Sequence, residues 1–233
     1  MGLIEDVLNE IEDKPIDDIQ IGITFVGVRI GTRIGVAHRV DSYSGTNLPT
    51  TFRNRIGTKV ADLIYSENLI HAAIGTAAIN AQLMPDNIKC GNIFKTILDM
   101  ANKFDTIGVI GKFPFIAQLK ELDCTVYAFE KKPIPGFLPA NKTEELLPQC
   151  ELAIITGTTF VNSTLERLLN LSKGYTIVIG PTSPLSSVLF KYGADVIAGI
   201  IAYDNNVIEV IKHGGGTREF KKLVDVVYIE TGR

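Results

Sequence analysis

The sequence predicts an α/β protein made of a small α+β unit followed by a Rossmann-like, mostly parallel, doubly wound unit. Three observations predict it. Two adjacent apolar runs joined by a short polar turn open the chain, short apolar runs alternate with helix signals after residue 100, and several of those runs end in Gly, Thr or Pro-rich turns. Strands alternating with helices imply βαβ units with right-handed crossovers, whereas the opening pair reads as antiparallel.

Taken in order, Leu3, Val7, Leu8 and Ile11 form one apolar face of a short helix that Pro15 ends. Residues 19–30 and 34–40 read as two strands joined through Gly31-Thr32-Arg33. Residues 41–47 form a turn-rich polar loop, and 59–65 a short helix. Ser66 is placed to cap a longer helix ending before Pro85, so rich in Ala and Gly that another backbone must approach it closely. His71 and Asn80 are its polar exceptions, and His71 reads as a hydrogen-bonded packing residue. A bridging helix through Ile93, Ile97, Leu98 and Ala101 follows, and the boundary is set near residue 88, giving units 1–88 and 89–233.

The second unit presents strands at 106–110, 125–129, 152–155, 176–179 and 195–198, with a last one at 226–229. In such sheets ligands sit at the carboxyl edge, where strands turn into helices. Three turns there share a chemistry: Gly111 to Pro114, Thr156 to Thr159, and Gly180 to Pro184. Pro114 and Pro184 suit a first helical position and Ser183 a cap, so three helix amino ends are expected to converge on one anion-friendly edge. Asn162 or Ser163 caps the helix through Leu165, Leu168 and Leu169. The proline-rich loop 131–139 reads as a pocket wall with a lysine as counter-charge, and His213 before three glycines as a helix stop.

Composition narrows the function. With 45% apolar residues in 233 the chain has ample core. A net charge of −3 without a long basic run argues against nucleic acid as partner. No apolar run is long enough for a membrane span, and the acidic opening lacks the basic end and apolar run of a secretory signal, so a cytoplasmic location is expected. Cys90, Cys124 and Cys150 are odd in number, widely spaced and read as buried reduced thiols. Gly108 to Gly111 and Glu130 favour a nucleotide, yet the full G-x-G-x-x-G is absent and Phe113-Pro114 adds bulk where a pyrophosphate needs bare backbone. A standard NAD mode is therefore not expected. No base accompanies the Thr and Ser hydroxyls, which read as hydrogen-bonding groups rather than nucleophiles.

The segments AIGTAAINA (73–81), GVIGKFPF (108–115), PGFLPA (135–140), ITGTTFVNSTLERLL (155–169), GPTSPLSSVLFKYGADVIAG (180–199) and GGGT (214–217) resemble the heavy-metal chelation family, over nearly the whole chain. The resemblance implies a first domain like the N-terminal domain of enolase, a Rossmann-like second domain and an active-site cleft between them. Carried over by motif, Asn80, Gly111, Pro114, Glu130, Thr156, Gly157, Thr158, Asn162, Pro181, Thr182, Ser183 and Gly199 are the expected site positions. The chain departs from the family at Phe137, where an acidic residue is common, and at Lys112, where the position varies.

Three readings follow. The leading one is an enzyme or enzyme-like protein handling a small anionic metabolite, a metal chelator or its precursor. Thr156 to Thr159 and Pro181 to Ser183 would contact the anion, Lys112 would add a positive charge, and Glu130 a polar or acid/base group. The second is a non-catalytic metal or metal-chelate binding protein using His71, His213, a Cys or Glu130, with a transition metal ion as the cofactor. The third is a nucleotide or S-adenosylmethionine-dependent enzyme. The sequence leaves the reaction, the cofactor and any homo-oligomer open.

Overall fold

A computed structural model describes residues 2–40 and 56–232; the polar loop expected at 41–47 lies outside them. Helix α1 (Leu3–Leu8) buries Leu3 and Val7. The expected strand over 19–30 is two strands, β1 (Asp18–Ile21) and β2 (Phe25–Ile30), because the chain turns at Gly22, whose N–H donates to the Phe25 carbonyl at 2.8 Å. Strand β3 (Arg33–His38) pairs antiparallel with β2 across a tight turn at Gly31, where φ is +61°.

After α2 (Ala61–Ile64) comes α3 (Leu69–Gln82), capped by Asn68, whose side chain accepts from the Ile70 N–H at 2.9 Å. The expected cap, Ser66, instead accepts from the Asn68 N–H and lies 3.3 Å from His71 Nδ1. Helix α3 is buried almost all round because it lies between the sheet on one side and other helices on the other. Its small residues allow this: a Cβ on Gly35 of β3 would lie well under 3.0 Å from Ala77 O and Ala81 N.

The second half contains β4 (Lys89–Cys90), α4 (Ile93–Ala101), β5 (Thr106–Ile110), α5 (Ile116–Leu119), β6 (Thr125–Glu130), β7 (Leu138–Pro139) and α6 (Thr143–Leu146). It continues with β8 (Leu152–Thr156), α7 (Thr158–Val161), α8 (Leu165–Leu171), β9 (Tyr175–Ile179), α9 (Val188–Lys191) and β10 (Val196–Ala202). Helices α10 (Asn206–Lys212) and α11 (Thr217–Phe220) and strand β11 (Val224–Glu230) close it. Its parallel strands run in the order β7-β6-β5-β8-β9-β10, a doubly wound order in which β6 sits outside β5. The chain leaves β5 toward β6 on one side and reaches β8 on the other, so the topological switch point lies between β5 and β8. Strand β11 pairs antiparallel along β10, and the first hairpin joins the same sheet where Ala202 meets Ile34.

Apolar side chains alternate between the two faces, as helices on both sides require: Leu152 and Ile154 enter one core, Ala153 and Ile155 the other. Several connecting helices are a single turn. Ser163 adopts φ +56° between α7 and α8. Helix α10 ends at His213 with Gly214 at φ +79°, the stop expected from its glycines.

Cys90 is exposed on the two-residue strand β4, contrary to the expected burial, because that strand covers only part of β11. Cys150 is buried and its Sγ donates to the Leu146 carbonyl at 3.3 Å. Burial pushes its thiol up to about 11. The folded state thus holds this proton more tightly than the unfolded chain, so the stability is full below the unfolded thiol's value and is lost as pH rises. Urea midpoints should fall between pH 9.0 and about 11, and Cys150→Ala should reduce the fall. A fall of the same size in that variant would assign it elsewhere.

Candidate functional site

A cleft of about 450 Å³ opens at the carboxyl ends of β5, β6 and β8, directly over the switch point, with the end of β3 closing it from the first half. Gly111 makes this geometry. At φ +102° it turns the chain sharply out of β5, its N–H donates to the Phe129 carbonyl at 3.0 Å, and a Cβ there would come 2.9 Å from Thr156 Cγ2. Three threonines form the adjoining wall. Thr156 Oγ1 donates to Thr158 Oγ1 at 3.1 Å and Thr159 Oγ1 to the Thr156 carbonyl at 2.7 Å, which leaves the Thr158 proton for a ligand.

The lining is electropositive. Among the described residues Arg39, Lys112, Lys131, Lys132 and Arg167 line the cleft, with Glu130 as the one carboxylate. Arg167 is offset by an ion pair with Glu144, and Glu130 Oε1 accepts the Lys131 N–H at 2.7 Å. Ile110, Phe129, Ile134 and Leu168 supply an apolar floor. Cationic groups beside an apolar floor suit, by their chemistry, a compact anion with an apolar portion and one hydrogen-bond donor for Glu130.

Of the positions expected from sequence, Gly111, Lys112, Glu130, Thr156, Thr158, Thr159 and Asn162 line this cleft. Pro114 is exposed in the turn ahead of α5. Gly157 is buried against Ser183, where a Cβ would lie well under 3.0 Å from the Ser183 backbone. Asn80, Thr182 and Ser183 form a joint between the halves instead: Asn80 Nδ2 donates to the Val36 and Thr182 carbonyls at 3.0 and 3.2 Å, and Thr182 Oγ1 accepts the His38 N–H at 2.8 Å. Thr182 and Ser183 are each 2% exposed. Pro181 belongs to the same turn, and Gly199 lies beneath it, with a Cβ contact of 3.2 Å to the Ser183 carbonyl.

The third turn therefore folds back under the sheet edge rather than opening on the cleft, and α9 starts only at Val188, after Pro184. The strand exits that meet are those of β5, β6 and β8. Their helices α5 and α7 have four residues each, too short for a substantial macrodipole, so the charge and hydrogen-bonding capacity of the cleft come from side-chain cations and hydroxyls.

Sequence reasoning missed His38, Arg39 and Arg167. His38 and Arg39 end a strand remote in sequence and carry no local motif; only the pairing of β3 with β10 brings them here. Lys131 and Lys132 were legible as the lysines of the proline-rich wall. Among the described residues no group of three His, Cys, Asp or Glu comes together to hold a metal ion, with His71 on α3 and His213 at the end of α10. No helix among them is long and apolar enough to cross a membrane.

Comparison with known proteins accounts for both halves. The DUF4213 profile matches residues 4–83 and the DUF364 profile residues 94–230, both described as "putative heavy-metal chelation". An uncharacterised protein of Methanocaldococcus jannaschii is 28% identical over 167 residues, 67% of this chain and 64% of that protein, so the chain spans just under two thirds of its length. The crystal structure of a DUF364 protein of unknown function from Desulfitobacterium hafniense DCB-2 superposes with a TM-score of 0.84 at 26% identity, covering 97% of both chains. A Pyrococcus horikoshii member of the same family shares the fold, with a TM-score of 0.78 at 20% identity over 98% of both chains. With a profile matched over more than half its length, the chain belongs to the DUF364 family.

Proposed function

We propose that the protein binds a small, multiply charged anion, a metal chelator or its precursor, in the cleft between its two units, 1–88 and 89–233. One observation supports this reading: among the described residues, Arg39, Lys112, Lys131, Lys132 and Arg167 line the cleft at the switch point of the sheet with Glu130 as the one lining carboxylate, and Glu144 offsets Arg167 from outside the lining. The same balance disfavours a bare metal cation, which would meet net positive charge and one carboxylate; a metal fits here as the cargo of an anionic chelate. Lys112 and Glu130, on adjacent strand exits, are the groups we assign to proton handling if the ligand is transformed.

Titration calorimetry of the intact protein with citrate, with nitrilotriacetate in metal-free and nickel-loaded form, and with nickel chloride alone tests this. Citrate or nitrilotriacetate should bind, more weakly at high ionic strength, and Lys112→Ala should cost about tenfold in affinity. Stoichiometric binding of nickel chloride with no binding of either chelator would overturn the reading.

A further inference from the structure

We propose that Asn162 is a positioning residue that acts through Lys131, holding its ammonium group over the cleft so that an anion meets an ordered cation. The inference rests on the anion-binding reading above. Asn162 ends α7 above β8, and Lys131 leaves the end of β6; β5 lies between them. The surroundings assign the Asn162 amide orientation, since the reverse would set its nitrogen against the Lys131 ammonium and its oxygen against the Thr159 carbonyl; with the nitrogen toward the Thr159 carbonyl and Thr164 Oγ1, its oxygen accepts from Lys131 Nζ at 3.0 Å. The acceptor is thus fixed by its own wall, and the lysine is held from the wall opposite.

The chemistry of the acceptor gives the contact its use. Arg167 is paired with the carboxylate of Glu144, which offsets its charge. Lys131 is held by a neutral amide, so its charge stays available, and an ammonium has three donors of which this contact uses one. A lysine stem is flexible, and ordering it on ligand binding costs affinity. Anchoring the stem before the ligand arrives removes part of that cost.

The test uses citrate and the full chain. Asn162→Ala should weaken citrate binding by roughly three- to tenfold in the native background, and should cost nothing further in a Lys131→Ala background. Equal losses in both backgrounds, no loss in the native one, or tighter binding would overturn the proposal. A second measurement needs no ligand. Pulse acetylation followed by mass spectrometry should label Lys131 more slowly than its neighbour Lys132 in the native protein, with the difference disappearing in Asn162→Ala. Equal labelling in the native protein would refute the contact even if Asn162→Ala failed to fold. Absence of citrate binding to the native protein would count against the anion reading, while the labelling rates would still decide the role of Asn162.

Discussion

Gly35→Ala should lower the unfolding free energy by about 3 kcal/mol or more, at the severe end of overpacking substitutions. The methyl group would meet Ala77 O and Ala81 N, backbone atoms of the buried helix α3, and neither can rotate away as a side chain could. The helix would have to move off β3. That movement would draw Asn80 from the Val36 and Thr182 carbonyls and displace His38 and Arg39 at the cleft. Urea denaturation reads the first effect and citrate titration the second. A midpoint within experimental error of the native protein would show that α3 is packed less closely than described.

Phe160→Ala should cost about 3 to 5 kcal/mol, the range for removing a buried aromatic ring. Phe160 is 1% exposed and sits in a core that unites Ile74, Ala77 and Ala78 of α3 with Leu165, Leu169 and Val188 from beyond residue 88. Helices α3 and α7 touch directly. The ring therefore supports the Thr158 wall and the contact between the two halves together. Phe160→Leu should recover more than half the loss, because it keeps most of the buried volume. A loss under about 1 kcal/mol in the alanine variant would mean that the halves are joined mainly by polar contacts.

How legible the chain was depends on the kind of information each feature needs. The apolar runs at 106–110, 152–155 and 176–179 are close to the observed strands because fully buried strands must be continuously apolar. The run at 19–30 was overextended, since the turn at Gly22 depends on where Ile211 packs: a Cβ there would lie well under 3.0 Å from the Ile211 carbonyl. Ser66 suited a cap and Pro184 a first helical position, yet Asn68 and the later start of α9 prevailed, because helix ends follow packing as well as local preference.

By itself, the sequence determined the α/β class, the switch from antiparallel to parallel strands, and a strand edge carrying Gly111, Lys112, Glu130, Thr156, Thr158 and Thr159, which line the cleft. Those are local properties of pattern, turn chemistry and strand exit. Tertiary structure alone decided which exits face one another. It turned the 180–184 loop inward, so that Thr182 serves His38 and Asn80 in a joint, and it brought Arg39 and Arg167 to the cleft from far along the chain. The physical reason is that a cleft is a relation between elements. Strand pairing such as that of Ile34 with Ala202, and the closeness with which α3 can lie on Gly35, are set by side chains distant in sequence.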